Sequence, residues 1–169
     1  MRRSVLSLLV ENTSGVLSRV AGLFSRRGYN IDSLTVGETM DPKYSRMTVA
    51  LHGDDAIIDQ IKKQLMKLED VISIDELKDD ESVCRELVLV KLECSRQQKQ
   101  DVIAIADVFR AKIVDVGIHS LMIELTGNTN KINAFLALLE DYTIRQIVRT
   151  GLTGLIRGNY EMTEADNER

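Results

Sequence analysis

The chain has 169 residues, of which 44% are hydrophobic, so it is long enough for one ordinary domain or for two small domains with apolar cores. Its formal net charge is −4 at pH 7, which argues against nucleic acid as the main partner because binding to phosphates needs a basic face. Aromatic residues make up 4% of the chain, so few side chains are available on which bases or sugars could stack.

The two cysteines indicate neither a zinc site nor a disulfide framework. Cys84 and Cys94 have no second pair and no His at ligand spacing, so we interpret them as reduced thiols of a cytoplasmic protein. Residues 1–11 imitate a signal peptide, with two arginines before an apolar run, but the run is short and meets Glu11, so a first buried strand is predicted instead. No apolar stretch approaches the roughly 18 residues that a membrane span requires, so no membrane partner is expected.

Residues 15–27 carry the clearest helix signals in the chain. Arg26 and Arg27 stand in the last turn, where cations suit the helix dipole, and Gly28 can adopt the left-handed conformation that ends a helix. The apolar residues recur with a period near 3.6 and form one stripe of four side chains, with Leu17 beside it: Val16, Val20, Leu23 and Phe24.

The start of this helix is a candidate anion site. Asn12, Thr13 or Ser14 is predicted to cap the first turn, and Gly15, which has no Cβ, would let a ligand approach the free N–H groups. Those N–H groups and the positive end of the helix dipole suit a carboxylate or a phosphate. The alternative is that Gly15 only serves a tight turn between strand and helix, and the local pattern by itself leaves both interpretations open.

The first half of the chain has the pattern of a β-α-β-β-α-β unit. After the helix 15–27 we predict a strand over 30–39, a half-buried strand over 46–52, a helix that opens at 53–55 and a strand over 71–77. This order predicts two helices on one face of an open-faced, four-stranded antiparallel sheet.

The second half repeats this pattern, which predicts an α+β protein with two ferredoxin-like βαββαβ domains. We place the first domain at 1–78, a charged linker at 79–83, the second domain at 84–158 and a disordered polar tail at 159–169. Residues 93–97 of the second domain lack the Asn and Gly of the first, so an anion site is expected only in the first. The elements predicted here are strands at 86–94, 113–118, 121–126 and 143–150, and helices at 98–110 and 130–139.

The sequence contains none of the motifs that mark nucleophilic, zinc or nucleotide chemistry, such as G-x-S-x-G, H-E-x-x-H, a Walker loop or G-x-G-x-x-G. We interpret His52 and His119 as ordinary surface or partly buried residues, so no catalytic residue and no metal ligand is predicted. Exposed sheet edges favour edge-to-edge pairing of two chains in a symmetric dimer. In such a dimer the first turn of one chain could face Asn30 and Ile31 of the other.

Several runs of residues match one known family. The most specific is Arg27-Gly28-Tyr29-Asn30-Ile31 at its distance from Gly15. It lies within a longer matching run, residues 23–36. The others are residues 10–20, Ser45-Arg46-Met47-Thr48, Arg85-Glu86-Leu87 with Val90-Lys91, and Thr150-Gly151 with Ile156-Arg157-Gly158. Over nearly its whole length the chain thus resembles the regulatory (small) subunits of acetolactate synthase, also called acetohydroxyacid synthase.

This resemblance implies an N-terminal ACT domain followed by a second ferredoxin-like domain, without catalytic activity of their own. Members of the family bind the catalytic (large) subunit, raise its activity and make it sensitive to feedback inhibition by a branched-chain amino acid, usually valine. Thiamine diphosphate, Mg and FAD are expected on the catalytic subunit, and no cofactor is expected on this chain.

The resemblance also implies an allosteric effector site between the two ACT domains of a homodimer. The first-turn N–H groups would take the effector carboxylate, asparagine oxygens the ammonium, and aliphatic groups the side chain. Leucine and isoleucine stay open as effectors, and the alternative function is an ACT-domain amino-acid sensor that regulates another enzyme or transcription. The implied site consists of Asn12, Gly15, Val16 and Leu17 from one chain and Asn30 and Ile31 from the other.

Overall fold

The computed structural model of the protein describes residues 1–158, which group into two units by their internal contacts. Unit 1 comprises Met1–Cys84 and the described residues from Leu152 onward, and unit 2 comprises Arg85–Gly151. The tail predicted at 159–169 lies outside the described residues. No helix within 1–158 is both long enough and apolar enough to cross a membrane.

Unit 1 has the predicted β-α-β-β-α-β order. Its four strands form an antiparallel sheet of order β2-β3-β1-β4, so β2 and β4 are the edge strands of this sheet. The elements are β1 (Arg2–Glu11), α1 (Val16–Arg26), β2 (Ile31–Glu38), β3 (Tyr44–Gly53), α2 (Asp55–Leu65) and β4 (Val71–Glu76).

The core of unit 1 lies between this sheet and the two helices. Alternate residues of β1 and β3 point into it, and the predicted stripe of α1 packs against them, which confirms the helical period. Burying each large aliphatic or aromatic side chain stabilises the unit by roughly 1.5–3 kcal/mol, so this stripe holds α1 on the sheet. The central members are Leu6, Leu8, Val10, Val20, Phe24, Met47, Val49, Leu51, Ile58, Ile61 and Leu65.

The C-terminal end of α1 forms as the sequence predicts. Gly28 has a φ of +70°, and its N–H donates to the carbonyl of Ser25 at 3.2 Å. The next N–H, that of Tyr29, donates to the carbonyl of Phe24 at 3.0 Å. These two bonds define a Schellman motif, which satisfies carbonyls at the helix end and turns the chain toward β2.

Unit 2 repeats the architecture, with a sheet of order β6-β7-β5-β8 and a separate core under two helices. The α+β class with two βαββαβ units is therefore confirmed. The short strand β9 pairs with β5, whose first three residues belong to unit 1. The elements are β5 (Ser82–Glu93), α3 (Arg96–Val108), β6 (Lys112–Val116), β7 (Ser120–Gly127), α4 (Thr129–Leu138), β8 (Thr143–Arg149) and β9 (Thr153–Ile156).

The structure groups two segments differently from the boundaries predicted by sequence. Residues 79–83, the predicted linker, group with unit 1 by their contacts, and a turn in which Ser82 Oγ donates to the carbonyl of Lys78 at 2.5 Å leads into β5. Residues 152–158, assigned by sequence to the second domain, also belong to unit 1.

Leu152 explains this second difference. It is 3% exposed, its carbonyl accepts a hydrogen bond from Thr35 Oγ1 at 3.0 Å, and its N–H donates to Ser33 Oγ at 3.4 Å. Thr35 lies opposite Thr48 on the sheet face away from the helices, where Thr48 and Ala50 are 2% and 0% exposed. The predicted core face of β3 is confirmed by Met47, Val49 and Leu51, and His52 on the other face is exposed. That other face is nevertheless buried around Thr48 and Ala50, close to where the C-terminal segment bonds to Thr35.

Candidate functional site

The start of α1 differs from its predicted form. The N-cap is Gly15, with a left-handed φ of 88°, and no side chain caps the helix, so the predicted capping by Asn12, Thr13 or Ser14 is wrong. Only a long backbone bond of 3.4 Å, from the Val16 N–H to the carbonyl of Thr13, closes the turn. Glycine adopts this φ without steric cost, whereas a residue with a Cβ would be strained.

The other three helices of the described residues have the side-chain cap that α1 lacks. Asp54 accepts from the Ile57 N–H at 2.8 Å, Ser95 from Gln98 at 3.2 Å and Asn128 from Lys131 at 2.9 Å. In α1 the equivalent N–H, that of Ser18, finds no such oxygen, and neither does that of Leu17, within residues 1–158. These two donors and the helix dipole form the anion-binding feature that the sequence predicts. In unit 2 the corresponding helix α3 has Ser95 as its N-cap, so its equivalent N–H, that of Gln98, is already hydrogen-bonded.

Asn12 follows β1 beside this helix start and is fixed by the loop between β2 and β3. Its Nδ2 donates to the carbonyl of Pro42 at 2.9 Å and to Glu38 Oε2 at 3.3 Å, and its backbone N–H donates to the carbonyl of Lys43 at 2.7 Å. Because Nδ2 makes both side-chain contacts, Oδ1 is the atom through which Asn12 would accept a hydrogen bond from a ligand.

Arg19 is a residue of this site that sequence reasoning missed. A Cβ built on Gly15 would lie 2.9 Å from Arg19 Nη1, so the guanidinium fills the space that the sequence suggested was open to a ligand. Arg19 Nε lies 2.5 Å from Asp70 Oδ2, which holds the side chain in this position. A cation thus stands beside the free N–H groups. The only signal in the sequence is that Arg19 is four residues after Gly15, on the same side of a helix.

The remaining predicted residues fall into two separate groups. Val16 is buried in the core, whereas Leu17 is 46% exposed beside the helix start. Asn30 is exposed and Ile31 is half-buried at the first residue of β2, beyond the opposite end of α1. The eleven residues of α1 separate the groups by roughly 16 Å. Within one chain, a ligand of the size of an amino acid cannot contact both.

The titratable groups with shifted pKa values have structural explanations away from this site. Burial raises the pKa of the Cys94 thiol, which lies in the core of unit 2. Burial would also raise the pKa of Glu76, but hydrogen bonds from Lys62, Arg2 and Ser4 outweigh it and lower the pKa to about 2.

His52 is exposed, with its Nδ1 2.5 Å from Asp32 Oδ2. No group of His, Cys, Asp and Glu side chains within residues 1–158 could hold a metal ion.

The first unit thus combines a βαββαβ fold with an uncapped helix start and an edge strand beside it in the sequence, β2. A family model described as an AHAS small subunit-like ACT domain matches residues 6–73, and a second one, for the small subunit of acetolactate synthase, matches residues 85–158. The chain belongs to the family of acetolactate synthase small subunits. It is therefore a regulatory subunit, not a catalytic one, and its partner is the catalytic subunit of that enzyme.

Similar proteins support this assignment over nearly the whole chain. The acetolactate synthase isozyme 3 small subunit of Salmonella typhimurium is 47% identical over 93% of this chain and 97% of its own length. The acetolactate synthase small subunit of Haemophilus influenzae is 47% identical over 92% of this chain and 96% of its own length. The crystal structure of the small subunit from Thermotoga maritima superposes with a TM-score of 0.87 at 39% identity, over 95% of this chain and 100% of that one.

Proposed function

We propose that this regulatory subunit binds valine at the first turn of α1, and that this binding lowers the activity of the catalytic subunit, which is feedback inhibition. The observation that carries the proposal is that α1, alone among the four helices of the described residues, begins without a side-chain cap and leaves N–H groups free. A carboxylate is the ligand that such donors and the helix dipole favour.

The neighbouring residues supply the other contacts that an amino acid needs. Arg19 adds a positive charge beside the carboxylate position, and Asn12 Oδ1 can accept a hydrogen bond from the ammonium. The exposed part of Leu17 offers an apolar surface to a small aliphatic side chain. The choice of valine rests on the resemblance to the family, and leucine and isoleucine, each with one additional methylene, stay the alternatives.

The proposed site requires two chains. Asn30 and Ile31 lie at the far end of α1, so they complete the site only if a second chain supplies them. The strand β2 is an edge of the unit 1 sheet, which suits pairing with the β2 of a second copy about a two-fold axis. The proposed assembly is therefore a homodimer through the ACT domains, with the effector bound at the junction.

The energetic requirement on this mechanism is modest. For a ligand as small as valine, affinity between about 1 mM and 1 μM is expected, which corresponds to roughly −4 to −8 kcal/mol. Feedback needs only that valine prefers the inhibited assembly over the active one, by about 1–3 kcal/mol.

The test is a calorimetric titration of the protein with valine, leucine and isoleucine. Alanine is the control ligand, since it has the same carboxylate and ammonium without a branched side chain. We expect saturable binding of valine with about one site per chain, because the two-fold axis generates two equivalent sites in each homodimer, and inhibition of the reconstituted complex over the same concentration range. If none of the four amino acids binds to the protein or to its complex with the catalytic subunit, the proposal is wrong.

A further inference from the structure

A groove between α1 and α2 is separate from the proposed effector site. It has a volume of about 510 Å³, and its floor is formed by Leu23 of α1 and Leu68, which follows α2. Both leucines also pack against the core of unit 1, so the floor is rigid. The complete lining is Leu23, Arg26, Arg27, Gln64, Lys67 and Leu68.

All charged side chains that line this groove are positive. Arg26, Arg27 and Lys67 are exposed, and no carboxylate lines the groove. None of these three cations forms an ion pair with any of residues 1–158, whereas other cations of the chain do, for example Arg19 with Asp70. The chain as a whole is acidic, with a net charge of −4, so a concentration of unpaired positive charge at one concave place is not a consequence of composition.

The helix dipole accounts for only part of this arrangement. Arg26 is in the last turn of α1, where a cation is favourable. The dipole does not require that Arg27, just after α1, and Lys67, in the turn after α2, line one groove with an apolar floor. Three cations around two leucines form a surface complementary to an acidic, partly apolar protein segment.

We propose that this groove docks an acidic segment of the acetolactate synthase catalytic subunit. Carboxylates of that segment would pair with Arg26, Arg27 and Lys67, and an apolar side chain would cover Leu23 and Leu68. The inference rests on the partnership with the catalytic subunit, which the proposed function also uses, but it is independent of the effector site. A second copy of the chain is a poor occupant, because a two-fold axis through the groove would place like charges opposite each other.

The test is charge reversal at the groove. The variant Arg26→Glu/Arg27→Glu/Lys67→Glu is titrated into the catalytic subunit at low ionic strength, and the concentration that gives half-maximal activation is measured. The matched control is Arg96→Glu, which changes an exposed cation in the first turn of α3, where an acidic residue is favourable. We expect this concentration to rise about tenfold or more for the groove variant, and to change less than twofold for the control.

Ionic strength provides a second readout. Added salt should raise the half-maximal concentration of the original protein more steeply than that of the groove variant, because the variant has lost the attractive charges. Circular dichroism and the valine titration show whether the variant folds. If it does not, the neutral variant Arg27→Gln/Lys67→Gln should show a smaller increase in the same direction.

The groove proposal is overturned if the folded groove variant activates with the same half-maximal concentration and salt dependence as Arg96→Glu. Failure of the proposed effector function has a different signature, namely intact, salt-sensitive activation without binding of valine. A groove variant that binds valine but activates only at high concentration supports the docking surface on its own.

Discussion

Arg19 Nε lies 2.5 Å from Asp70 Oδ2, and this ion pair holds the Arg19 guanidinium against Gly15 at the start of α1. Arg19 is itself exposed, and exposed ion pairs contribute only about 0–1 kcal/mol to stability. The more important consequence is positional, since the pair places a cation beside the free N–H groups of Leu17 and Ser18. Asp70, which is 51 positions after Arg19 in the sequence, thus determines where the positive charge of the proposed site lies.

Removal of this cation should weaken binding of valine without affecting the fold. We expect Arg19→Gln to raise the dissociation constant of valine by about fivefold, because one charge-assisted contact of roughly 1 kcal/mol is lost. Calorimetry measures the change, and Arg96→Gln is the control because Arg96 is exposed in unit 2. Unchanged affinity in Arg19→Gln would show that the guanidinium takes no part in the site.

Two substitutions of Gly15 should separate the effect of backbone strain from the effect of an added charge. Because Gly15 has a φ of 88°, we expect Gly15→Ala to lower the free energy of unfolding by about 1 kcal/mol or more. Gly15→Asp adds a carboxylate that can pair with Arg19 and occupy the place of the effector carboxylate. We therefore expect it to abolish valine inhibition while activation of the catalytic subunit persists. Valine inhibition of a reconstituted Gly15→Asp complex at the original concentration would contradict the site.

Glu76 should make the stability of unit 1 depend on pH in the acidic range. Its carboxylate accepts from Lys62 Nζ at 2.5 Å, Arg2 Nη1 at 2.7 Å and Ser4 Oγ at 3.1 Å, and its pKa is lowered from 4.5 to about 2. A carboxyl with a lowered pKa stabilises the folded state fully above the unfolded-state pKa. This contribution, roughly 3 kcal/mol, is lost as the pH falls from about 4.5 to about 2.

Unfolding by urea at pH 7 and at pH 3 measures this contribution. We expect Glu76→Gln to lower the free energy of unfolding by about 2 kcal/mol or more at pH 7, and by much less at pH 3. Glu69→Gln is the control, since Glu69 is exposed and forms no ion pair within residues 1–158. Equal effects of the two substitutions at pH 7 would refute the assigned role of Glu76.

The C-terminal segment offers a matched pair of leucines. Leu152 is 3% exposed in unit 1, whereas Leu155, three residues later, is 60% exposed. We expect Leu152→Ala to destabilise unit 1 by about 2–3 kcal/mol and to speed hydrogen exchange of β3 amides, because it uncovers the sheet face around Thr48 and Ala50. Leu155→Ala should change β3 exchange little. Faster exchange confined to unit 2 would show that the segment does not stabilise unit 1.

The features that the sequence predicts correctly are those that depend on the spacing of residues close together in the chain. The stripe of α1 and its end at Gly28 follow from a 3.6-residue period and from the φ that only glycine adopts easily. The repeated order of strands and helices likewise determined the class of both units. The predicted side-chain cap of α1 is absent because the N-cap is Gly15, which has no side chain. The side chain of Asn12 instead donates to Pro42 and Glu38, which are 30 and 26 residues away.

The sequence by itself therefore determined the two βαββαβ units, the position of α1 and the family. Only the tertiary structure decided which atoms surround the start of that helix, where residues 152–158 lie and which cations converge between α1 and α2. The physical reason is that periodicity, capping preference and glycine conformation are properties of neighbours along the chain. The contacts of Arg19 with Asp70 and of Thr35 with Leu152 join residues 51 and 117 positions apart, and they exist only once the chain has folded.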